Sequence, residues 1–79
     1  MAKPKNIVGP SIRRLRCQRG LTQDMLAARC SVRGLELSRG TLSKIEAQLR
    51  CVVDSELLAL AGVLGVRLEE LFPKSSQRQ

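Results

Sequence analysis

The 79-residue sequence contains no histidine, no tryptophan and no tyrosine, and a single phenylalanine. Without histidine or tyrosine, general acid–base chemistry would fall to scattered carboxylates and lysines. The sequence also lacks a G-x-S-x-G elbow, a phosphate-binding loop and any paired-carboxylate pattern. An enzyme is therefore not expected, and no cofactor is implied. With Phe72 as the sole aromatic, the stacking platforms used to bind single-stranded nucleic acid are missing. Cys17, Cys30 and Cys51 include no C-x-x-C pair. A zinc site would need all three thiolates plus a carboxylate or water, so no metal is expected. Cys30 falls on an apolar helix face, where free cysteine acts as a small hydrophobe. Cys17 and Cys51 are expected at the surface. No apolar run is long enough to span a bilayer, and "MAKPKNIVGP" lacks the apolar core of a secretory signal. These absences predict a cytoplasmic chain with no membrane partner and no disulfide framework.

What the sequence does carry is positive charge. The net charge is +7. Residues 1–50 hold 11 Lys or Arg and 3 acids, a balance of +8, whereas residues 51–79 hold 3 and 4, a balance of −1. The asymmetry points to a polyanionic partner, nucleic acid first and an acidic membrane surface second. A merely soluble basic surface is the plainer alternative.

Periodicity predicts five short helices and no strand. Residues 1–8 read as a loose polar arm carrying Lys3 and Lys5, residues 9–73 as one small domain and residues 74–79 as a polar tail. The first helix, about 10–19, has Pro10 at its start and Gly20 at its stop. Ile12 and Leu15 form its apolar stripe. The second, about 22–32, starts at the N-cap candidate Thr22. It turns Leu26, Ala27 and Cys30 inward and leaves Met25 partly outward. Gly34 ends it, and Leu35 or Leu37 pins the connection that follows. Ser38 caps a third helix, about 39–48, with Leu42, Ile45 and Leu49 on one side and Gly40, Ser43, Lys44 and Ala47 on the other. Arg39 sits at the flank. Asp54 is expected to cap the fourth helix, whose apolar face comprises Leu57, Leu58, Leu60, Ala61 and Leu64. Gly65 stops it, and a last short helix spans about 67–72. Gly40 stands out because glycine costs roughly 1 kcal/mol against alanine in a helix interior.

Three stretches in order, "IRRLRCQRGLTQDMLA", "SRGTLSKIE" and "ELLALAGVLGVRLEELF", resemble the Cro/CI-type (Xre-like, λ-repressor-like) helix-turn-helix family over residues 7–73. The resemblance implies a compact all-α, five-helix domain whose second and third helices form the helix-turn-helix. One departure is visible. "CSVRGLEL" supplies roughly five residues more than the family's usual tight turn between those helices. Either the second helix runs on or the connection bulges, and Arg33 and Glu36 have no counterpart in the usual pattern.

The family likeness implies a sequence-specific regulator of transcription, a repressor, that binds double-stranded DNA as a homodimer and lays its third helix in the major groove. Arg39, Gly40, Ser43 and Lys44 are then the base-contacting candidates. Arg39 and Lys44 can donate to guanine O6 and N7, and the missing side chain at Gly40 would let the helix sit deeper. A solvated basic face, with drift at position 40, is the plainer reading. Thr22, Gln23, Thr41 and Arg50 are the phosphate-contact candidates, with capping alone as the alternative for Thr22. Lys3 and Lys5 could add contacts from the arm. The family pattern also implies a structural ion pair between Arg16 and Glu46. Val66, Leu68, Leu71 and Phe72 are candidates for a dimer seam, with closure of the core as the alternative for Leu68 and Phe72. An antitoxin or adaptor-type protein-interaction module on the same fold is the competing function, with the lengthened connection as its partner site.

Overall fold

Glycine sets the limits of three helices. The computed structural model describes residues 3–74. It contains α1 (Gly9–Gln18), α2 (Gln23–Val32), α3 (Arg39–Glu46), α4 (Asp54–Leu64) and the 3-10 turn Leu68–Leu71. Gly20, Gly34 and Gly65 follow α1, α2 and α4 at φ of 68°, 84° and 70°. This left-handed region is open to glycine at no steric cost. After α3 the same role falls to Gln48, at φ 63°. The helix therefore ends at Glu46, earlier than the periodicity predicts. Leu49 lies outside it and is 66% exposed rather than part of the core face.

The helix starts are each closed differently. Thr22 Oγ1 accepts the Met25 N–H at 3.1 Å, and Ser38 Oγ accepts the Thr41 N–H at 3.1 Å. Each satisfies an amide the helix itself cannot. Asp54 is not the cap of α4 but its first residue. The Val53 N–H is held instead by Glu56 Oε1 at 3.0 Å. At α1 the amides of Val8 and Gly9 are taken by Asn6 Oδ1, at 3.2 and 2.8 Å.

The inward stripes meet in one core. Ile12 and Leu15 from α1, Leu26 and Cys30 from α2, Leu42 and Ile45 from α3, and Leu60 and Leu64 from α4 are buried around it. Burying each large aliphatic side chain contributes about 1.5–3 kcal/mol. Leu58, expected on the inner face of α4, is 62% exposed. Leu71, expected at a dimer seam, is fully enclosed and belongs to the core. α2 stops at Val32, so the extra residues form the connection 33–38 rather than more helix. Leu37 is buried beneath it and Leu35 half-buried. Ser31 Oγ donates to Glu36 across it at 2.9 Å. Arg33 Nη2 reaches the Gly62 carbonyl of α4 at 3.3 Å.

The start of the chain differs from the loose arm read in the sequence. Residues 5–8 are fastened to the end of α3: the Lys5 N–H donates to the Gln48 carbonyl at 2.9 Å, and Val8 is buried. Residues 1–2 and most of the predicted tail, 75–79, lie outside the described residues. Among the described residues, no helix is long and apolar enough to cross a membrane.

Candidate nucleic-acid interface

With Leu42 and Ile45 buried, helical geometry turns the other residues of α3 to solvent. Arg39, Gly40, Ser43, Lys44 and the following Ala47 are all exposed. A Cβ added at Gly40 would meet only Ser38 Oγ, at 3.8 Å. The fold itself therefore does not require glycine there. The row borders an open groove lined by Arg13, Arg16, the Gly20–Asp24 stretch, Arg39, Ser43, Glu46 and Ala47. The starts of α2 and α3 both lie at this groove, and helix N-termini favour anions.

The floor of the groove is a neutralised charge pair. Arg16 Nε donates to Glu46 Oε2 at 2.7 Å and its Nη2 to Oε1 at 3.0 Å. Gln23 Nε2 donates to the same Oε1 at 3.1 Å. The remaining Arg16 Nη1 donates to the Leu21 carbonyl at 2.8 Å. The two charged side chains are 12% and 4% exposed. The hydrogen bonds to Glu46 push the Arg16 guanidinium above its ordinary pKa, against the opposing effect of burial. The carboxylate at the floor of this basic groove is thus already cancelled. The pair ties α1 to α3, and Gln23 adds α2 to the same oxygen.

The phosphate-contact candidates divide. Thr22 is exposed at the start of α2, its hydroxyl serving as cap. Gln23 is half-buried and occupied by Glu46, so it braces α3. Thr41 is half-buried and accepts from Ser38 Oγ at 3.0 Å. Arg50 departs most from expectation. Its guanidinium donates twice to Glu56, at 2.9 Å each, and once to the Cys51 carbonyl at 2.9 Å. It is a fastener between the α3–α4 connection and α4, not a free cation. The hydrogen bonds from Arg50 hold the Glu56 carboxyl below its ordinary range, against burial, with help from the Val53 N–H.

Sequence reasoning missed Arg13. It is exposed and lines the groove with Arg39. The available signal was spacing: Arg13 precedes Arg16 by three residues and so shares its helix face. With Arg16 and Glu46 cancelling, Arg13 and Arg39 face a single acid, Asp24, along the groove. Of the seam candidates other than Leu71, Leu68 is 39% exposed, while Val66 and Phe72 are half-buried against the core. Cys30 is buried, which raises its thiol pKa, and Cys17 and Cys51 are exposed.

Comparison with known proteins agrees with this geometry. A family model described as helix-turn-helix matches residues 12–71. Among solved structures, the chain is similar to the restriction-modification controller protein C.AhdI from Aeromonas hydrophila. The two are 32% identical, with a TM-score of 0.73, over 82% of this chain and 87% of that one. No curated protein matches.

Proposed function

The chain belongs to the Cro/CI-type helix-turn-helix family of DNA-binding transcriptional regulators, and from that premise we propose that it represses transcription by seating α3 in the major groove of a double-stranded operator, as a two-fold dimer. The observation that carries this reading is the exposed row on α3. Two long cations flank a glycine and a serine there, beside two helix starts and over a carboxylate that is already paired. In this reading Arg39 and Lys44 donate to guanine edges, Ser43 to either base type, and Gly40 admits close approach of the backbone. Thr22, Thr41 and the missed Arg13 contact phosphates, which fix register without reading sequence. Arg16, Glu46 and Gln23 hold α3 at its angle. The likeness to a controller protein supports a regulatory role.

A single small reader spans few base pairs, and two copies about one helical turn apart supply the rest. Leu68, flanked by Val66 and Phe72, is the apolar surface proposed for that second copy. Bound over a promoter in the cytoplasm, such a dimer would block polymerase by occupancy.

Selection of bound sequences from a random duplex pool at physiological salt tests the proposal. A two-fold consensus is expected, and recovery of unenriched sequence would refute it. Lys44→Ala should then relax preference at one position of each half-site by about 1–3 kcal/mol. Equal losses on every sequence would assign Lys44 to phosphate rather than base.

A further inference from the structure

The segment ahead of α1 is built into the end of α3, and Asn6 makes the join. Its Nδ2 donates to the Ile45 carbonyl at 3.0 Å and to the Arg50 carbonyl at 2.8 Å. Its Oδ1 accepts from the first amides of α1. Its own carbonyl accepts from Gln48 Nε2 at 2.9 Å. One carboxamide therefore caps the start of α1 and ties it to the end of α3 and the connection after it. One residue earlier, the Lys5 N–H is bound to Gln48. Two successive residues are thus held in register.

This places Lys3 and Lys5 beside Ala47, Gln48 and Leu49, around a shallow depression. Ala47 also lines the groove beside Arg39 and Ser43, so the two surfaces are continuous. Both lysines are exposed. No acid precedes Asp24 in the chain. The carboxylates in ion pairs, Glu46 and Glu56, are taken by Arg16 and Arg50.

We propose that Lys3–Asn6 is a built edge of the DNA-binding surface. Asn6 is a positioning residue that holds the segment against the end of α3. Lys3 and Lys5 contact phosphates of the duplex beyond the reach of α3. The inference rests on the reading of α3 as the recognition helix.

The test is binding of the full chain to a labelled random-sequence duplex between about 50 and 200 mM salt. Each phosphate neutralised contributes about 0.9 to the slope of log K against log salt. A Lys3→Ala, Lys5→Ala double variant should therefore have a slope shallower by about 1.8, so that the wild type loses about 12-fold more affinity over that range. Its thermal melt should match the wild type. Asn6→Ser keeps a capping oxygen but loses both donations to the carbonyls of Ile45 and Arg50. In an Asn6→Ser chain whose melt shows it folded, the same two lysine changes should alter the slope by less than half as much. An unchanged slope in the double variant, with wild-type binding intact, overturns this inference alone. A full-sized lysine effect in folded Asn6→Ser overturns the positioning role. If Asn6→Ser does not fold, the lysine pair by itself decides the proposal. Failure of the wild type to bind any duplex would overturn the proposed function and this inference with it.

Discussion

Replacing Glu46 by alanine should lower stability by about 3 kcal/mol, the low end of what loss of one partner from a buried ion pair costs. Two features place it at the low end. Arg16 keeps its bond to the Leu21 carbonyl, and at 12% exposure its stranded charge can draw in some water. Set against that, three donor groups lose their acceptor together: Arg16 Nε, Arg16 Nη2 and Gln23 Nε2. For a domain of this size each kcal/mol moves the melting temperature by about 4–8 °C, so Glu46→Ala should melt about 12–24 °C below the wild type. The assay is thermal unfolding followed by far-ultraviolet circular dichroism at neutral pH. A paired variant separates the stranded charge from lost packing. Arg16→Met with Glu46→Leu removes both charges and should recover most of the loss, because apolar replacement of a whole buried pair is often nearly neutral. A shift under about 4 °C for Glu46→Ala would refute the reasoning. So would a double variant no more stable than the single one.

Three further outcomes follow from the same structure. A Cβ at Gly9 would collide with the Ile45 carbonyl oxygen and lie 2.9 Å from that of Glu46; since both are backbone, Gly9→Ala should cost about 1–3 kcal/mol, seen as a lower denaturant midpoint at unchanged m. At Gly40 the space is open, so Gly40→Ala should raise the melt slightly, by less than the roughly 1 kcal/mol of a mid-helix site, while Gly40→Glu should abolish duplex binding with the fold intact; binding retained by Gly40→Glu would remove the close-approach role. The folded-state pKa of Glu56 lies below its ordinary 4.5, so its contribution to stability is present above that value and lost as pH falls through the folded pKa; Glu56→Gln should therefore flatten the fall in melting temperature between about pH 5 and 3, and an unaltered acid slope would show that the Arg50 contact contributes nothing.

Local signals were legible and distant ones were not. The stops at Gly20, Gly34 and Gly65 and the caps at Thr22 and Ser38 act within a few residues, and each stands where the sequence placed it. The outward row on α3 follows from the same periodicity that buries Leu42 and Ile45. Arg50 stands among the phosphate-contact candidates in the sequence because its partner Glu56 lies beyond the end of α3, on the next helix. Helical spacing puts Leu49 on the core face because nothing in the local pattern announces that Gln48 adopts a left-handed turn. Leu71 resembles a seam residue in the sequence because an apolar residue near the last short helix reads alike whether it faces inward or, unlike here, outward. The role of Asn6 has no local signature, since the carbonyls it holds lie 39 and 44 residues away.

That separation bears on the order in which the chain folds. Closing a loop of 39 residues costs about 3 kcal/mol of chain entropy, and fixing the backbone of each residue in the join costs about 1–2 kcal/mol more, together more than the four hydrogen bonds across it return at about 1 kcal/mol each. The join at Asn6 therefore cannot lead. It forms once α1 and α3 have met through Ile12, Ile45 and the Arg16–Glu46 pair and have already brought the ends together. The residues ahead of α1 are among the last to find their partners, and the edge beside α3 is completed only when the rest of the domain is in place.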